Sequence, residues 1–173
     1  MPRLFVGIDL PSEIKLKLGS LCVGLPGARW VDPGNFHLTL RFIGEVTDAA
    51  VIDIDAALMR IGTSRFMLTL AGVGYFGKRT VWVGVEDAPL LMMLQGDVES
   101  ALQSAGLAPE VQPFFPHVKL ARLRRPGRRF RDFLTENASF RSEPFEVEQF
   151  SLIESQLTKK GSIYSYRTDY ALT

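Results

Sequence analysis

This chain of 173 residues is poor in the side chains that usually mark redox or metal chemistry, with one cysteine and two histidines. The lone thiol, Cys22, excludes an intrachain disulfide. Two histidines and one cysteine without clustered carboxylates are a poor set of metal ligands, so no metal or other cofactor is expected. The apolar run Leu4–Ile8 stops at Asp9, and no stretch approaches the ~20 apolar residues needed to span a bilayer. Nor does the chain open with a secretory leader pattern, so it reads as cytoplasmic. A formal net charge of +1 gives no global pull toward polyanions. No glycine-rich loop ends in Gly-Lys-Ser/Thr and no Lys-x-Asp-Gly sequence occurs, which removes nucleotide activation. Low-complexity segments and linkers are absent, and residues 1–173 read as one domain.

The two histidines sit in matching frames. One reads Phe36-His37-Leu38-Thr39-Leu40-Arg41, the other Pro116-His117-Val118-Lys119-Leu120-Ala121-Arg122. Side chains alternate along a strand, so His37 and Thr39 share one face while Leu38 and Leu40 point to the other. His117 and Lys119 pair in the same way against Val118 and Leu120. Most single strand histidines are structural, but a repeated frame that buries aliphatics and presents an imidazole beside a polar group points to chemistry. Imidazoles exchange protons near neutral pH, so a facing pair can give and take them in one reaction.

Six arginines follow between Arg122 and Arg131 (Arg122, Arg124, Arg125, Arg128, Arg129, Arg131). A solvated loop and helix start is the ordinary reading of such a run, and its position after His117 adds that of a phosphate collector. Arg122 carries a parity problem: in a regular strand it lies on the face opposite His117. A bend or bulge near Ala121 must intervene if both meet one phosphate.

Periodicity places strands at Arg3–Ile8, Arg29–Val31, Phe36–Ile43, Phe66–Leu70, Thr80–Val85, Phe115–Ala121, Phe145–Ser155 and Ser162–Tyr170. A glycine-rich stretch links the fourth and fifth. Helices are expected from Ser12 to about Cys22, from Thr47 to about Ile61, over Pro89–Ser104 and over Arg128–Asn137. Several links are too short for parallel crossovers, which favours antiparallel pairing. The expected class is α+β: two pseudo-symmetric lobes, each a mainly antiparallel sheet with helices outside, and an active-site cleft between. Phe36, Phe114, Phe115, Tyr75, Tyr164 and Tyr166 are candidates to stack on a base, though most aromatics here belong in the core.

The paired frames resemble the two histidine-x-threonine/serine-x motifs of the 2H phosphoesterase superfamily. Within it the chain looks like the RNA 2′,3′-cyclic phosphodiesterases, also called the 2′-5′ RNA ligase family. The likeness extends over Arg3-Leu4-Phe5-Val6-Gly7-Ile8-Asp9-Leu10-Pro11, Arg29-Trp30-Val31-Asp32-Pro33, the segment His117–Arg122 and Tyr164. It implies hydrolysis of a 2′,3′-cyclic phosphate at an RNA end to a 2′-phosphomonoester. It also implies that His37 is the general acid, His117 the general base, and Thr39 and Arg122 phosphate ligands. RNA ends are the implied partner; neither a membrane nor an obligate protein partner is implied. Lys119 departs from the pattern, standing where threonine or serine is expected. A lysine meets phosphate as a mobile point charge and disfavours protonation of the adjacent His117, which suits a base.

Three other readings remain. ATP-independent 2′-5′ ligation would use the same histidines in reverse. Non-catalytic binding of RNA ends would follow if the second motif had decayed. A metal-dependent phosphodiesterase is a weaker idea, given the ligand set.

Overall fold

A computed structural model describes residues 1–77 and 79–173. Its strands are β1 (Arg3–Asp9), β2 (Ala28–Trp30), β3 (His37–Glu45), β4 (Phe66–Leu68), β5 (Leu70–Phe76), β6 (Thr80–Val85), β7 (His117–Leu123), β8 (Phe145–Val147), β9 (Gln149–Thr158) and β10 (Gly161–Ala171). The helices are α1 (Ser12–Gly19), α2 (Asp48–Leu58), α3 (Pro89–Ser104) and α4 (Arg128–Glu136). Seven strands pair antiparallel in the order β10-β9-β1-β3-β7-β6-β5, and β2 adds to β7. β4 and β8 form a small separate sheet.

The two lobes are the halves of this sheet. β1 and β9 run alongside β10 and β3 on one side, and β6 runs alongside β5 and β7 on the other. At the centre β3 and β7 meet through one registered pair, Leu38 opposite Val118. Both residues are fully buried, so the joint is anchored by apolar packing on the face away from the histidines. That core face is covered by amphipathic helices: α3 buries Leu91, Leu94, Val98 and Leu102, and α4 buries Phe130 and Phe133. Arg41 ties β3 to α3 through Glu99, with Nε 2.6 Å from the carboxylate. Burial alone would raise the Glu99 carboxyl, yet the Arg41 bond and the Glu110 N–H bring it down to about 2.

Several boundaries differ from the sequence expectation for identifiable reasons. The glycine-rich link after Leu70 is itself strand β5. Gly72 adopts φ +76° at a register shift between Ala71 and Val73, a bulge conformation that a side chain would strain. The expected strand Phe145–Ser155 is two strands in two sheets, since β8 pairs with β4 while β9 enters the main sheet. Helix α1 stops at Gly19, short of Cys22. The Cys22 thiol is half-buried and burial pushes it up to about 11. No helix among the described residues is long and apolar enough to cross a membrane.

Candidate active site

β3 and β7 carry the two histidines to the exposed face of the central joint. Leu38 and Val118 pair directly with both side chains in the core, so His37 and His117, each one residue before its member of the pair, emerge together on the other face. The charge on His117 is felt at His37, as expected of two imidazoles that share one space.

Each imidazole is held by the same backbone device. Nδ1 of His37 lies 2.7 Å from the Asn35 carbonyl oxygen, and Nδ1 of His117 lies 2.7 Å from that of Phe115. A carbonyl only accepts, so each Nδ1 bears the hydrogen and each neutral ring offers the lone pair of Nε2. Nε2 of His37 is 2.9 Å from Thr39 Oγ1. These carbonyl partners escape sequence reading because the side chains of Asn35 and Phe115 say nothing about them. Asn35 is placed by its own side chain, whose Nδ2 donates to the Ser162 carbonyl at 2.9 Å.

The bulges in β3 and β7 also match. Against β1, Gly7 pairs with Thr39 and Val6 with Arg41, which leaves Leu40 as the extra residue. Against β6, Trp82 pairs with Lys119 and Val81 with Ala121, which leaves Leu120 as the extra residue. In both strands the insertion falls three residues after the histidine. In β7 it turns both Leu120 and Ala121 into the core and returns Arg122 to the exposed face with His117 and Lys119.

Aromatic rings pack around each histidine. Phe5 and Tyr164 flank His37, with ring centroids at 4.8 and 5.1 Å. Phe76, at 4.9 Å, stands edge-on to His117, with Trp82 and Phe115 behind it. Trp82 lies over Gly74 and Gly84, where any Cβ would collide with its indole or the adjoining backbone. Among the stacking candidates, Phe36 is a core residue, Tyr75 packs on Phe130, and Phe115 is 49% exposed beside the site. A cavity of about 510 Å³ opens next to His117, lined among others by Thr39, Phe76, Gln95, Gln112 and Phe115.

The charged groups around the two imidazoles differ: only His37 has a carboxylate beside it. Burial lowers the pKa of both. Asp9, directly opposite His37 in the β1–β3 register, pulls the other way and favours its proton, while Lys15, 2.8 Å from the Asp9 carboxylate, and His117 oppose it. Lys119 adds a lowering influence at His117. Lys119 is itself lowered, by desolvation and then by Arg122. His37 thus faces an Asp9–Lys15 ion pair, whereas His117 faces a cation. No group of three or more potential metal-binding side chains occurs among the described residues.

Comparison with known proteins gives a consistent picture. A family model described as LigT-like phosphoesterase matches twice in succession, over residues 8–85 and 83–164. The RNA 2′,3′-cyclic phosphodiesterase of Aeropyrum pernix is 39% identical over 150 residues, covering 82% of this chain and 84% of that protein. The protein of the same name from Thermotoga maritima is 33% identical, covering 94% and 91%. The crystal structure of E. coli LigT complexed with 3′-AMP superposes with a TM-score of 0.81 at 29% identity, covering 99% of this chain and 98% of that one.

Proposed function

The chain belongs to the LigT-like phosphoesterase family, and on that footing we propose that it is an RNA 2′,3′-cyclic phosphodiesterase acting in the cytoplasm. The observation that carries this reading is the pair of carbonyl-anchored imidazoles on one face, with the Asp9–Lys15 ion pair beside one and Lys119 beside the other.

In-line displacement at phosphorus needs a base behind the attacking oxygen and an acid at the departing one. His117, kept neutral by burial and by Lys119, takes a proton from water through Nε2. The water oxygen bonds to phosphorus as the bond to the 3′ oxygen breaks. His37, in its charged form, gives its Nε2 proton to that oxygen and leaves a 3′-hydroxyl and a 2′-phosphomonoester. Burial, His117 and Lys15 work against a proton on His37, but Asp9 and the Asn35 carbonyl support it and the bound phosphate adds a second negative charge. Thr39, Lys119 and Arg122 surround the phosphate oxygens as their charge grows. Solvent then returns one proton to His37 and removes one from His117. No step calls for a metal.

The test is a defined oligoribonucleotide with a 2′,3′-cyclic end, incubated with the protein in a chelator and read by phosphorus NMR. Accumulation of the 2′-monophosphate is expected. A 3′-monophosphate would reverse the assignment of the leaving group, and an unchanged cyclic phosphate would overturn the reading.

A further inference from the structure

Outside the catalytic centre the most uneven feature of the molecule is where its arginines have partners. Among the described residues, the ion pairs within 4.0 Å engage Lys15, Arg41, Arg65, Arg141 and Arg167. The other ten arginines make none among the described residues, and four of these, Arg29, Arg122, Arg124 and Arg125, are exposed and lie together beside β7. These four are not scattered. Arg29 of β2 pairs directly with Arg122 of β7, and cross-strand partners share a face. The bulge at Leu120 puts that face on the histidine side of the sheet. Arg124 and Arg125 continue from the end of β7 into the turn before α4.

Cations placed side by side without counter-charges repel one another and destabilise a sheet, so such pairs are ordinarily avoided. Here Arg29 and Arg122 are set opposite each other, and Lys119 feels Arg122 as well. At about 3.3 Å per residue, the line from His117 to Arg125 is roughly 20–25 Å long. That exceeds what one cyclic phosphate can occupy.

We infer that Arg29, Arg124 and Arg125 extend the phosphate site into a track along β7 and β2 that binds the backbone of the RNA upstream of its cyclic end. The substrate is therefore an oligonucleotide and not a free nucleoside cyclic phosphate. This rests on the phosphodiesterase reading above and adds the direction from which the strand enters. The guanidinium groups bind phosphates without reading bases, so the track favours length over sequence. The net charge of +1 does not oppose it, because the field that matters is local to the strand end.

The test compares kcat/KM for cyclic-ended mono-, di- and tetranucleotides over a range of salt concentrations. For the unaltered protein, the tetranucleotide should exceed the mononucleotide by roughly tenfold or more at low salt. The excess should fall with salt at a log–log slope of about −0.7 for each additional phosphate engaged. In a triple variant, Arg29→Gln, Arg124→Gln and Arg125→Gln, the ratio of tetranucleotide to mononucleotide should collapse toward one. Arginine-to-lysine changes at the same positions should keep most of it, and a melting curve of each variant checks folding.

A length-independent, salt-insensitive ratio in the unaltered protein, with the mononucleotide still hydrolysed, overturns the track alone. The basic edge would then be free for an acidic protein. Failure to hydrolyse any cyclic end overturns the phosphodiesterase reading instead.

Discussion

His37 and His117 are suspended identically, each with Nδ1 2.7 Å from the carbonyl oxygen two residues before it. The shared anchor fixes tautomer and orientation, so the difference between the two rings comes from their neighbours. Asp9 stands opposite His37, and Lys119 follows His117 on the same face.

The pH profile of kcat/KM should therefore be bell-shaped and centred on the acid side of 6.5, because burial lowers both free-enzyme pKa values. The kcat optimum should lie at higher pH, since bound phosphate raises a neighbouring pKa. Asp9→Asn removes a charge that favours the His37 proton, so the limb governed by His37 should move further acid. Profiles of both parameters for the two proteins check this; an unmoved limb would detach Asp9 from His37.

Lys119→Thr restores the hydroxyl typical of the family motif and removes a cation beside His117. If the lysine is part of the working site, kcat/KM should fall about tenfold and the His117 limb should shift toward higher pH. A gain in rate would show instead that the second motif had decayed.

Gly74→Ala should disturb the His117 side from a distance. The new methyl would overlap the Trp82 indole, which packs against Phe115 and Phe76. Overpacking of this kind costs about 1–3 kcal/mol. A lower denaturation midpoint, altered tryptophan fluorescence and a slower kcat are expected together; wild-type values for all three would mean that the indole is loosely held.

Glu99→Gln weakens the bond that ties β3 to α3 and leaves the Arg41 charge with only the Phe42 and Ala108 carbonyls, at a cost of about 1–3 kcal/mol. The Glu99 carboxyl is held near 2, below its ordinary value of 4.5. Its contribution is therefore complete above about pH 4.5 and is lost as pH falls toward 2. Denaturation midpoints should separate the two proteins at pH 6 and converge in acid.

The sequence disclosed the central joint because alternation is strict there: Leu38 and Val118 are buried, and the histidines lie on the other face. It also required a bulge near Ala121 from the parity of Arg122, and the extra residue is Leu120. The strand β5 was hidden because glycines at 72 and 74 carry no side-chain pattern; Gly72 serves a bulge and Gly74 makes room for Trp82. The role of Asp9 was hidden for another reason. It depends on which residue of β1 faces His37, a register between segments almost thirty residues apart.

Changing the leaving atom tests the assigned roles most directly. A substrate whose 3′ oxygen is replaced by sulfur departs without a proton. The loss of roughly 10²–10⁴-fold expected for His37→Ala on the normal substrate should then largely disappear, while His117→Ala should stay impaired. Full turnover of the oxygen substrate by either alanine variant would contradict the two-histidine mechanism, and rescue of His117→Ala in place of His37→Ala would contradict the assigned roles.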